Sequence, residues 1–337
     1  MTGGRGRSGE AAAEGPAIAT VVELDAELGG TIDLRAVLGP LVRGSGDPTI
    51  RVGAGAAIRA SVTPAGAGAL ELRVVAGQIH ARAWGPGAAT LLEGIPALLG
   101  LDDDDAGFDP RLHPFVAALA RRRGRLRLGR TGAVWEALLP AILEQRITGT
   151  EAWRSYRRLV RAHGQPAPGH LALWLAPTPA AVAALPSWRL IALGIEPRRA
   201  QLLRRLAREA PRFEAMAAAA RRPGGGGAGA ANLASALRAM PGIGPWTVAE
   251  VTLRALGDPD AVSVGDAHLS HVVAFALTGR PRGTDAEMLT LLETWAGHRA
   301  RVVRLLEGAG VRPPRYGPRV TPRDLARDLT PPPERRR

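Results

Sequence analysis

The stretch Leu237-Arg-Ala-Met-Pro-Gly-Ile-Gly-Pro-Trp-Thr247 leaves the backbone few choices. Proline lacks an amide hydrogen and is best tolerated in a helix's first turn, so Pro241 marks the turn after one helix and Pro245 opens the next. Gly242 and Gly244 permit positive φ between them. The segment therefore predicts two helices joined by a tight turn. Amide groups at the start of the second helix have no intrahelical partners, and the helix dipole there favours an anion. With no Cβ on Gly242 or Gly244, a phosphate can come close to the backbone. Gly242, Ile243, Gly244, Trp246 and Thr247 are the candidate contacts, Thr247 through its hydroxyl. A plain connection between two packed helices is the alternative. The apolar lead-in from Leu237 to Met240 and the Trp-Thr-Val-Ala that follows favour the phosphate site.

Charge narrows the partner. The chain has 337 residues and a formal net charge of +13, which points to an acidic partner, nucleic acid first. All 44 basic residues are Arg, and there is no Lys. The absence of Cys excludes disulfides, a thiolate nucleophile and Cys-ligated zinc or iron–sulfur centres. No apolar run approaches the roughly 18 residues of a membrane span. The first residues lack the apolar core of a signal peptide. The expectation is an intracellular protein with no membrane segment. The Arg runs at 121–130, 154–161 and 198–208 offer phosphate contacts, although each also reads as a solvated helix face.

The expected fold class is α+β: a small N-terminal antiparallel sheet with helices, then an all-α domain carrying the hairpin. Residues 1–16 read as a disordered tail and residues 17–105 as the sheet domain. Strands are expected at Thr31–Leu34, Ile50–Val52, Ala57–Val62, Leu70–Val75 and Ile79–Trp84, where apolar and polar residues alternate. Helices are expected near Leu34–Val42 and Ala88–Leu99. Asp102–Asp105 makes a polar break. Residues 106–317 read as the helical domain and 318–337 as a loose Pro/Arg-rich tail. Thr148 and Glu151 have the spacing of a capping box. Pro179 sits at a helix start. Residues 196–210 read as a long basic helix, and 223–229 as a flexible Gly-rich insert. Asn232 is expected to cap the helix leading into the hairpin.

Twenty residues after Trp246 lies Asp266, in the loop Val262-Ser-Val-Gly-Asp-Ala-His-Leu269, at the head of another helix. Aspartate commonly caps helices. Capping does not exclude chemistry. Cleavage of a glycosidic bond develops positive charge on the sugar, and a carboxylate held close to it with water excluded is stabilising.

The hairpin and Asp266 together resemble the helix-hairpin-helix DNA glycosylase superfamily, over residues 134–307. Within it, Pro241–Gly244 with Trp246 and Thr247 is most similar to the alkylation-repair branch, DNA-3-methyladenine glycosylase II. The resemblance implies that Asp266 is the catalytic carboxylate. It places Gln145 and Arg146, at the end of an early helix, beside the gap left by a flipped base. Arg146 then takes the wedge position, with Ile147 as its rival and a solvated helix face as the plainer reading. His268 matches a histidine that contacts phosphate or orients the aspartate. Trp246 and Glu250 fall on the base pocket. Glu250 stands where an aromatic residue is usual, so it either pairs with an Arg or meets a substrate amine. Trp246 also reads as core packing. Bifunctional members carry a Lys where this chain has Trp246, which implies monofunctional chemistry with water as nucleophile. No cofactor is implied beyond a monovalent cation at the hairpin carbonyls, and no protein-ligated metal. The implied partner is double-stranded DNA with a damaged base, bound by a monomer in a bacterial, nucleoid-associated setting. Two alternatives stay open: the same fold on another lesion, and a non-catalytic lesion sensor.

Overall fold

A computed structural model describes residues 21–27, 31–220, 226–314 and 322–328. The N-terminal part is a five-stranded antiparallel sheet in the order β1-β5-β4-β3-β2. Its strands are β1 (Val21–Glu27), β2 (Ile50–Val52), β3 (Ala56–Thr63), β4 (Gly66–Val75) and β5 (Gln78–Trp84), with the short helix α1 (Leu34–Leu38) between β1 and β2. The β4–β5 turn has φ of 49° at Ala76 and 79° at Gly77, the mirror-image turn that suits strand twist. One face packs on α1, α2 (Ala88–Glu93) and α3 (Ile95–Leu98) through Leu34, Leu70, Leu72, Ile79 and Ile95.

Two expectations fail here. Thr31–Leu34 is not a strand: the Asp33 carboxylate accepts from the amides of Arg35 and Ala36 and starts α1 instead. The edge strand is β1, which pairs with β5. The helix expected over Ala88–Leu99 is divided at Gly94, with Pro96 just beyond.

The helical part contains two cores. The larger lies among α5 (Val134–Glu144), α6 (Gly149–His163), α7 (Pro179–Ala184), α8 (Ser187–Ala192), α9 (Pro197–Ala220), α10 (Gly226–Arg238) and α11 (Pro245–Leu256), with the two-residue strands β6 (Gln165–Pro166) and β7 (Trp174–Leu175) between α6 and α7. Leu171, Leu173 and Leu175 around β7 cover the second face of the sheet, at Ala60, Ala69 and Trp84. The smaller core joins α4 (Pro114–Arg123) to α12 (Leu269–Thr278), α13 (Asp285–Leu292) and α14 (Arg299–Gly308). The hairpin closes the first core and the Asp266 loop opens the second, so the two motifs meet at the junction.

Local signals explain most helix starts. Thr148 and Glu151 form a complete capping box on α6. The Thr178 hydroxyl caps α7 ahead of Pro179. Asn232 is no cap: α10 already begins at Gly226, so 226–229 of the expected insert are helical, while 221–225 lie outside the described residues. The expected tail 1–16 also lies outside them. Residues 322–328 end in α15 (Leu325–Asp328), and Asp324 makes a two-oxygen pair with Arg158 at 2.7 and 3.0 Å. In the acidic run, Asp103 binds Arg301 through both carboxylate oxygens at 2.6 and 2.7 Å, and Arg301 is 0% exposed. The run therefore ties the chain to α14 as well as breaking it.

Candidate active site

The hairpin turn is built as its residues require, with one exception. Gly242 has φ +94° and packs over Leu202, so a side chain there would be strained. Gly244, at φ −97°, is extended and needs no glycine for its conformation. A Cβ at Gly244 would meet nothing within 4 Å, which leaves the start of α11 open to an approaching group. Ile243 is 7% exposed and anchors the turn in the core, so only its backbone faces out. Thr247 is 2% exposed, and its hydroxyl oxygen accepts from Gln145 Nε2 at 3.0 Å. Thr247 is the third residue of α11 and lies on its buried side, so its hydroxyl faces Gln145 where a phosphate contact was expected.

Gln145 lies immediately beyond α5 and reaches across to the turn. Its Nε2 also donates to the Gly242 carbonyl at 3.1 Å. Arg199, buried on α9, donates to the carbonyls of Leu143 and Gln145 at 3.2 and 2.9 Å and so satisfies the end of α5. Burial pulls the Arg199 pKa down, partly offset by Glu196 and Glu151. Arg146, next in sequence, has φ +56° and is exposed, while Ile147 packs against the core. Of the two wedge candidates, Arg146 is therefore the projecting side chain. On α9, Arg205 donates to the Pro241 carbonyl and is otherwise exposed.

α12 starts at Leu269 with His268 in the N-cap position, so Asp266 stands two residues ahead of the cap expected of it and reaches the helix start with one oxygen. Oδ1 accepts from the amides of His268 and Leu269 at 2.8 and 2.9 Å. Oδ2 accepts from the Trp246 indole Nε1 at 3.3 Å, near the long end of useful hydrogen bonds. The His268 contact to Asp266 is through the backbone N–H, and its imidazole is exposed. The loop is pinned elsewhere too. Gly265, at φ +92°, donates to Asp285 at 2.9 Å, and Asp266 N donates to the Ser263 carbonyl at 3.2 Å.

Glu250 lies one helical turn beyond Trp246 on α11. Oε2 pairs with Arg254 at 2.6 Å and Oε1 accepts from Ser263 Oγ at 2.7 Å. Burial pushes the Glu250 pKa up, but Arg254, Ser263 and Arg43 together hold it below the usual carboxylate value. Both oxygens are engaged, so the carboxylate meets an amine in a base pocket only by giving up Ser263 or Arg254. The Arg-pairing alternative is the arrangement present. Sequence reasoning missed Ser263 and Asp285, and offered Arg199 and Arg205 only as members of the 198–208 run. The i,i+4 spacing of Glu250 and Arg254 is the one local signal that pointed toward this cluster. Among the described residues, no group of His, Asp and Glu is placed to hold a metal.

The fold is shared with solved DNA glycosylases. The 3-methyladenine DNA glycosylase of Archaeoglobus fulgidus superposes with a TM-score of 0.67 at 19% identity, covering 84% of this chain and 97% of that one. The 8-oxoguanine glycosylase/lyase of Clostridium acetobutylicum, in complex with double-stranded DNA, gives 0.62 at 12% identity, over 85% and 96%. Its apo form gives 0.63 at 11%, over 86% and 97%. At these identities the likeness is one of fold. No protein-family model matches the chain, and neither does any curated protein.

Proposed function

We propose that the chain is a monofunctional DNA N-glycosylase that flips out and excises alkylated purines of the 3-methyladenine type. One observation carries the reading: Gln145 bonds the hairpin at Gly242 and Thr247, and Trp246, next to Thr247 in the chain, bonds Asp266, so three separate parts of the sequence are linked. The phosphate cradle, the residue beside the wedge and the carboxylate are thereby held in fixed relation.

In this reading the open amides of α11 and the exposed face of Arg205 take the backbone phosphate. Arg146 fills the space of the departing base, offsetting an unstacking cost of a few kcal/mol. The Trp246 face stacks against the base, and a cationic alkylated purine adds an attraction of about 0.5–2 kcal/mol. Asp266 Oδ2 supports the developing oxocarbenium while Oδ1 stays with α12. Water completes the substitution and leaves an abasic site. No Lys exists in the chain to form a Schiff base with the sugar. A monovalent cation at the turn would rest on main-chain carbonyls. Those of Pro241 and Gly242 already accept from Arg205 and Gln145, leaving each one lone pair. No step of the reaction depends on it. The partner is double-stranded DNA, bound by a monomer.

The test is incubation of the protein with methylated duplex DNA at low salt. Free 3-methyladenine with strands intact until alkali is added is the expected result. Release of an oxidised or deaminated base from parallel duplexes, with none from methylated DNA, would move the substrate class. Tight lesion binding with no base released from any duplex would replace the enzyme by a sensor.

A further inference from the structure

We propose that Ser263 and Glu250 are positioning residues for Asp266, and that Arg254 anchors them to the N-terminal sheet domain. The inference rests on the reading of Asp266 as the catalytic carboxylate and gives the N-terminal domain a part in that site. Ser263 is gripped at its side chain and grips in turn through its backbone. Its hydroxyl donates to Glu250 Oε1 at 2.7 Å, and its carbonyl accepts the Asp266 amide at 3.2 Å. Glu250 Oε2 is held by Arg254 at 2.6 Å. Arg254 Nε donates to the carbonyl of Pro40, just beyond α1, at 3.0 Å. Arg43 donates to that same carbonyl at 3.0 Å and faces Glu144 at 3.6 Å. Glu144 is the last residue of α5, and the following Gln145 holds the hairpin. The N-terminal domain therefore reaches both the Asp266 loop and the hairpin through one set of charges.

These side chains are largely removed from water: 13% exposed for Arg254, 14% for Glu250, 7% for Arg43 and 15% for Glu144. Buried ion pairs are poor stabilisers, because desolvation offsets their attraction, and their best use is to fix one geometry among several. An ordinary i,i+4 pair on α11 would end at Arg254. This one reaches out of the helix at both ends, to Ser263 on one side and Pro40 on the other. A carboxylate displaced by about 1 Å from a reacting centre can lose roughly 100-fold in rate. The arrangement that holds Asp266 is thus part of the chemistry without touching substrate.

The test uses the full chain and two readouts on Ser263→Ala, Ser263→Thr and Arg254→Lys. The first needs no substrate: hydrogen exchange at the Asp266 amide and the Trp246 indole N–H. Ser263→Ala is expected to raise both rates about 10-fold or more, with the α5 and α9 amides unchanged, and Ser263→Thr to restore them. Arg254→Lys keeps the charge beside Glu250 but loses the second donor to Pro40, and is expected to raise exchange at Asp266 less. The second readout is base release. Ser263→Ala should lower kcat about 10-fold with KM and affinity for abasic duplex unchanged. Unaltered exchange in Ser263→Ala overturns the positioning role. Unaltered exchange in Arg254→Lys overturns the anchor to the N-terminal domain. Raised exchange in Ser263→Ala, with no base released even by wild type, keeps the positioning geometry and removes the glycosylase reading instead.

Discussion

Arg146 carries a left-handed backbone that a side chain ordinarily avoids, at φ +56°. Such a conformation costs a non-glycine residue about 1–2 kcal/mol. The chain keeps Arg there, projecting, while Ile147 packs inward. Arg146→Gly relieves the strain but frees the unfolded chain, so a net gain of up to about 1 kcal/mol in urea unfolding is expected. The same variant is expected to release base more slowly, since nothing fills the vacated stack. Equal rates in wild type and Arg146→Gly would remove Arg146 from the wedge role. At this scale the sequence was uneven. Asp266 and Gly242 are legible because local chemistry favours them: a carboxylate accepting from the amides just ahead, and a positive φ. Ser263 is not legible, since its partner Glu250 is set by how α11 meets the loop. Thr247 misleads, because pattern alone does not say which side of α11 faces the core.

Helix ends are the most readable elements, since caps are short-range. The box read at Thr148/Glu151 forms, and the structure adds a second at Thr284/Glu287. The second lies on α13, whose Asp285 also holds the Gly265 amide. Amide and hydroxyl of Thr284 and the guanidinium of Arg280 bring the Glu287 pKa down to about 2. A depressed carboxylate adds stability above its unfolded value, near 4.3, and that contribution is lost as pH falls through about 2. Glu287→Gln is therefore expected to be less stable than wild type at pH 7, with the difference shrinking toward pH 2. A constant difference in chemical denaturation across that range would contradict the assignment. Elsewhere a local signal lost. Thr31–Leu34 alternates like a strand, but the Asp33 cap is stronger than four residues of alternation. Asn232 looks like a cap, yet packing of α10 on α9 and α11 carries the helix back to Gly226.

Across the whole molecule the net charge of +13 is unevenly available. Arg125 and Arg130 pair with Asp105 and Asp102, and Arg154 and Arg158 with Asp324, so those runs are partly neutralised. The α9 run lies beside the turn, where Arg205 meets the Pro241 carbonyl. Composition showed that phosphate binding was plausible; the fold singles out the α9 run by setting it beside the turn, although Arg199 within it pairs with Glu196. Arg205→Ala is expected to weaken binding about equally on all duplex sequences and to reduce the slope of log affinity against log salt by about 1. An unchanged slope would place the phosphate elsewhere. The α+β class was readable from the change from alternating to helical patterns along the chain. The union of α4 with α12, α13 and α14 was not, because it joins segments more than a hundred residues apart.

The most direct test compares wild type with Asp266→Asn in single-turnover base release from methylated duplex, with abasic-duplex affinity measured alongside. Asparagine keeps an oxygen to accept from His268 and Leu269 and is a good cap, so α12 should stand. A loss of about 100-fold or more in rate, with affinity retained, is expected. Equal rates in the two proteins would contradict it, since the one carboxylate held between hairpin and helix would then have no part in the chemistry.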